Sequence, residues 1–100
     1  MKSQKKRVQE WIALLSDPRK HTKRSYARDK SGKSVSSRSM KAVRFCAVGG
    51  AVRVGLYEND FYLRARTLLG NVAVVNDRPN GRPRVLAAVK KVAKEMGYLP

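Results

Sequence analysis

Val8, Trp11, Ile12 and Leu15 recur at i, i+3, i+4 and i+7, which is one face of an α-helix, with Lys5, Lys6, Gln9 and Ala13 elsewhere around it. Ser16-Asp17-Pro18 stops it, because Pro18 disfavours helical geometry at Asp17. Trp11 then reads most simply as a core anchor, with base stacking as the alternative use of its ring. Residues 19–39 lose the helical pattern. Within them, Ser25-Tyr26-Ala27-Arg28 and Lys33-Ser34-Val35-Ser36 flank Asp29-Lys30-Ser31-Gly32. Two short alternating segments around a Gly-closed turn predict a β-hairpin near residues 24–36. Such a ribbon is marginal alone and must lie on the helices; the alternative is a basic loop that orders on binding.

From Ser39 the chain turns apolar almost all round, which predicts a buried central helix over 40–54. Gly49-Gly50 inside it marks either a close approach by another element or a break. Asn59 or Asp60 caps a third helix through Phe61, Ala65, Leu68 and Leu69, ended by Gly70. Val72-Ala73-Val74-Val75 is short and β-branched and reads as a buried extended segment. Arg78-Pro79-Asn80-Gly81 reads as a turn. Pro83 opens a final helix whose apolar stripe is Val85, Leu86, Val89, Val92, Ala93 and Met96, ended by Gly97. The expected fold is mainly α with a small β element (α+β): a compact three- to four-helix domain spanning 1–100, with 1–3 and 98–100 frayed.

Charge changes this picture from a fold to a function class. The 100 residues hold 23 Lys and Arg against 7 Asp and Glu, a formal net charge of +16. Residues 1–45 carry 14 of the basic side chains and 3 of the acidic ones. Such an excess repels itself in a compact state, so a polyanionic partner accounts for it, nucleic acid (DNA or RNA) first. The expected phosphate ligands are Lys5, Lys6, Arg7, Arg19, Lys20, Lys23, Arg24, Arg28, Lys30, Lys33, Arg38 and Lys41. Arg82, Arg84, Lys90, Lys91 and Lys94 form a second patch, and Tyr26 is the aromatic placed to stack on a base. Neither a helix-turn-helix spacing nor a zinc finger nor an RNA-binding aromatic signature is present, so base readout is not expected.

No apolar run reaches the length of a membrane span. The basic N-terminus leads into an apolar segment too short for a secretory signal, so a cytoplasmic location is expected. Cys46, the single cysteine, excludes an internal disulfide and a cysteine-rich zinc module. Cys46 with His21 and Asn76 or Asp77 is the one nucleophilic constellation available. It is set aside because Cys46 lies in an apolar run and His21 in a charged one, so no enzyme, metal or cofactor is expected. Gly32-Lys33-Ser34 lacks the first glycine, preceding strand and following helix of a phosphate loop. A core face and a self-association face look alike at this length, so no oligomeric state is assigned.

Residues 21–32 (His21-Thr22-Lys23-Arg24-Ser25-Tyr26-Ala27-Arg28-Asp29-Lys30-Ser31-Gly32), then Val43-Arg44-Phe45-Cys46-Ala47-Val48-Gly49, then Leu69-Gly70, Val74-Val75-Asn76-Asp77-Arg78 and Arg84-Val85-Leu86, follow one order and spacing. In this they resemble a small family of uncharacterised phage and actinobacterial proteins, grouped as a domain of unknown function, over roughly residues 10–95. The family usually has Trp where His21 and Val75 stand and Gly where Arg24 stands. The resemblance implies a phage or mobile-element accessory protein in a bacterial cytoplasm, and supplies no activity, cofactor or site. It also raises a second functional expectation, a host-takeover or anti-defence factor that grips an acidic host protein or a nucleoprotein complex.

Overall fold

The structure, a computed structural model, describes residues 2–100. Its elements in chain order are α1 (Gln4–Ser16), a single 3-10 turn (Pro18–Lys20), β1 (Ala27–Arg28), β2 (Arg44–Phe45), α2 (Ala47–Val54), α3 (Asp60–Leu69), α4 (Val72–Asp77) and α5 (Gly81–Glu95). The architecture is mainly helical with one small antiparallel strand pair, and a radius of gyration of 12.5 Å is that of a compact chain of this length.

The α1 stripe packs as its spacing predicts. Ser3 Oγ accepts from Lys6 N to cap the helix, and Val8, Trp11 and Leu15 are buried. Trp11 has no exposed surface. Its ring stacks on Tyr62 at 5.9 Å, meets Phe61 edge-on at 6.3 Å, and donates Nε1–H to Ala47 O at 3.1 Å. Trp11 is therefore a core anchor, and its ring is closed to any base. Helix α5 packs on α1, α3 and α4, while α2 packs on α1 and α4, so α5 links the other helices of the bundle. The chain ends meet: Gln4 Nε2 donates to the Tyr98 hydroxyl at 2.8 Å, and Tyr98 and Leu99 pack against the core. Met1, part of the segment expected to fray, lies outside the described residues.

Four sequence expectations change in detail. The Asp29 turn forms as read, with Asp29 Oδ1 accepting from Ser31 N, Ser31 Oγ and Lys33 N at 2.7–2.9 Å. Its first arm, however, pairs with a distant strand: Ala27 faces Phe45 and Arg28 faces Arg44, while the hairpin arms are joined by an isolated Arg28–Ser34 bridge and a Ser25–Ser34 hydroxyl hydrogen bond. The helix expected over 40–54 consequently begins at Ala47, because Arg44 and Phe45 are taken by β1. Phe45 turns into a small second cluster with Ala27 and Ala42, so burial continues unbroken across the strand-to-helix switch and hides it from a hydropathy pattern. The segment Val72–Val75 is helical and not extended. Asn71 Oδ1 caps it through Val74 N at 3.1 Å, and Val72 and Val75 bury at helical spacing, so local capping overrides the β-branched preference. Helix α5 begins at Gly81, two residues before Pro83, behind Asn80 in a left-handed conformation.

Candidate nucleic-acid interface

The loop from Thr22 to Val43 carries many of the cations, and four residues fix it. Arg28 is half-buried and donates Nε to Thr22 Oγ1 (2.8 Å), Nη1 to Gly32 O (3.0 Å) and Nη2 to Lys23 O (3.3 Å). Arg53, at the end of α2, donates Nη1 to Ser37 O (3.0 Å) and Ser39 O (2.7 Å) and lies over the Phe45 ring at 5.6 Å. Gly49 is where the loop touches α2: a β-carbon there would overlap the Tyr26 carbonyl, so only glycine allows the approach.

Asn76 is the fourth. It is fully buried, and its amide is completely satisfied. Oδ1 accepts from Ala47 N at 2.9 Å and from His21 Nε2 at 2.8 Å, while Nδ2 donates to Thr22 O and Asp77 Oδ1. One side chain thus caps the start of α2, joins it to α4 and holds the loop. Cys46 completes the cap, its Sγ accepting from Gly49 N at 3.2 Å.

This arrangement brings His21 and Asn76 together but gives the thiol no imidazole partner: among the described residues the hydrogen bond of Cys46 Sγ is to Gly49. Burial pushes the Cys46 thiol above its ordinary range, which disfavours the thiolate a nucleophile needs. Among the described residues no group of three His, Cys, Asp or Glu side chains is placed to hold a metal, and no helix is long and apolar enough to cross a membrane.

The expected phosphate ligands divide into two sets. Lys5, Lys6, Lys20, Arg24, Lys30, Lys33, Arg38, Lys41, Arg84, Lys90, Lys91 and Lys94 are exposed. Arg7, Arg19, Lys23, Arg28 and Arg82 have structural partners. Arg7 donates to Val54 O at 2.9 Å, Arg82 to Leu15 O at 2.8 Å, Lys23 to Arg78 O at 3.2 Å, and Arg19 pairs with Asp17. Arg28 has three such partners and is a clamp of the loop. Tyr26 is 61% exposed.

Neighbouring cations converge where sequence spacing did not show it. One depression is lined by Arg7, Arg38 and Arg53 beside Gly55. A second is lined by Lys2, Lys20 and Arg53 with Val43 and Phe45. The two share Arg53, so the cations form one track across α1, α2 and the loop. Among the described residues Glu10 is the only carboxylate lining either, and Lys2 holds it at 2.8 Å. Arg53 escaped the sequence reading because it sits at the end of an otherwise apolar run. Arg84 and Lys91 flank a separate depression with Leu68 and Leu69.

A groove of about 540 Å³ opens between residues 24–36 and α4, lined by Arg24, Ser25, Tyr26, Ser34, Val35, Ser36, Cys46, Ala73, Asn76 and Asp77. Compared with known proteins, the chain matches no family model, no curated protein and no solved structure.

Proposed function

We propose that the protein binds nucleic acid through its backbone phosphates, without a catalytic step. The observation that supports this reading is the cationic track through Arg7, Arg38, Arg53 and Lys20, a run of like charges with one carboxylate among its lining residues. Among the described residues only two ion pairs form, Lys2–Glu10 and Arg19–Asp17, so internal pairing leaves most of the 23 Lys and Arg charges uncompensated. Guanidinium and ammonium groups gathered on one surface suit a ligand with regularly spaced anionic oxygens, and release of its counterions drives the association. Arg7 and Arg53 have backbone carbonyl partners, which pre-orders them; Arg38, Lys20 and Lys41 are free to meet phosphates.

The test compares two triple variants by fluorescence anisotropy on a short labelled duplex. Lys20→Ala, Arg38→Ala and Lys41→Ala together remove exposed charges on and beside the track. The log–log salt slope should fall by about 3, roughly one for each phosphate no longer neutralised. Lys90→Ala, Lys91→Ala and Lys94→Ala should lower it less. Equal effects would assign binding to net charge and not to the track. No binding by the native protein would point to an acidic protein partner instead.

A further inference from the structure

We propose that the groove between residues 24–36 and α4 receives one unpaired base of a single-stranded nucleic acid, stacked on Tyr26 with its amino edge toward Asp77. This rests on the phosphate-binding reading and adds the form of strand preferred. Tyr26 combines an exposed ring with a fixed backbone. Its carbonyl accepts from Cys46 N at 3.1 Å and lies against Gly49, where no side chain fits. A platform held this way loses little freedom when a base stacks on it.

Arg24, two residues earlier, stands in the left-handed region at φ 63°, a conformation non-glycine residues rarely adopt. It is held there by its backbone N–H, which donates to Asp77 Oδ1 at 3.1 Å. The strained turn places Arg24 and Tyr26 on the wall of the same groove. Asp77 Oδ1 also accepts from Asn76, while Oδ2 has no hydrogen bond among the described residues. A carboxylate on the groove wall repels phosphate but accepts N–H from an exocyclic amino group, so it separates base from backbone. Val35 and Ala73 supply apolar contact, and about 540 Å³ lies within the range of small-ligand sites. The adjoining depression shares Tyr26 and Ala73 and is lined by both Arg66 and Glu58, so its charges offset and the phosphates are left to the cationic track. A duplex keeps its bases stacked and paired and cannot present one here.

The experiment measures affinity for labelled cytosine and thymine (or uracil) strands of about 12 nucleotides, DNA and RNA, and for a duplex of equal length. Tyr26→Ala should weaken single-strand binding about 10-fold and leave duplex binding unchanged, while Tyr26→Trp, which keeps an aromatic face, should retain it. The native protein should prefer cytosine strands, and Asp77→Asn, which replaces the free acceptor with a donor, should erase that preference. If Tyr26→Ala spares single strands, or weakens both forms equally, the base site is overturned while the phosphate reading stands. Stacking loss without cytosine preference overturns the role of Asp77. A native protein that binds none of the probes overturns both proposals.

Discussion

The carbonyl oxygen of Tyr26 occupies the space that a β-carbon on Gly49 would need. Gly49 has ordinary helical surroundings on its own helix, so its requirement comes from a neighbour 23 positions earlier in the chain, on the basic loop. This contact and the Cys46–Tyr26 backbone hydrogen bond seat the loop on α2 and turn the Tyr26 ring outward.

Gly49→Ala should destabilise the protein by about 2–4 kcal/mol, since a backbone oxygen cannot move aside without lifting the loop. Gly50 is the internal control. Its nearest neighbours are Trp11 ring atoms at 3.3 and 3.4 Å, a tight fit opposed by the roughly 1 kcal/mol helix preference of Ala over Gly. Urea denaturation should therefore show Gly50→Ala within about 1 kcal/mol of the native protein. Equal losses at both positions would remove the special status of the Tyr26 contact.

Asn76→Ala should be among the most damaging single changes. It leaves Ala47 N–H and Thr22 C=O without partners in a buried site and releases His21 from α4. Buried groups left unsatisfied cost about 1–3 kcal/mol each, so a total loss of about 3 kcal/mol is expected in denaturant melts. A loss below about 1 kcal/mol would mean that water replaces the amide and that the hub does not organise the loop.

Cys46 should behave as a protected core thiol. Its side chain caps α2, and burial raises its ionisation above the ordinary range. Reaction with a disulfide reagent at neutral pH should be at least ~100-fold slower in the native state than in denaturant, because it waits for a local opening of about 3 kcal/mol. Fast native-state labelling would instead mark a reactive site and reopen the nucleophilic constellation with His21.

Acid should weaken the loop in a defined window. The Ser31 side-chain hydrogen bond, followed by the Lys33 backbone N–H, holds the Asp29 carboxyl below its ordinary value of 3.8; Arg19 does the same for Asp17. Folded values below the unfolded ones mean stability that is complete above about pH 5 and lost as pH falls below about 4 through the folded values. Asp29→Asn keeps the Oδ1 acceptor but removes the titration. Its thermal midpoint should therefore fall less steeply with acid than that of the native protein. Superimposable acid profiles for the two proteins would rule out Asp29 as a contributor.

The long-period signals were legible in the sequence. The α1 stripe, the α3 cap and the Val85-to-Met96 stripe of α5 all depend on residues within a few positions of each other, and all three helices formed, α5 starting at Gly81 and not at Pro83. What stayed hidden depends on distant partners. Arg44 and Phe45 leave the apolar run because Ala27 and Arg28 pair with them. Val72–Val75 turns helical because of the cap at Asn71 and packing on α2 and α5. Among the candidate ligands, Lys20, Arg38 and Lys41 are exposed. The guanidinium groups of Arg28 and Arg82 bond the chain's own carbonyls, and no local pattern distinguishes such a clamp from a free cation. The Arg7–Arg38–Arg53 convergence needed the fold itself.

The most direct test of the central claim is the salt dependence of native-protein binding to a labelled nucleic acid, measured after nuclease treatment of the preparation. Association through about six phosphates predicts a log–log slope near −5 on duplex DNA, with affinity falling steeply between about 50 and 200 mM salt. A flat dependence, or no binding to duplex or single strands at about 100 mM salt, would contradict the phosphate-binding account.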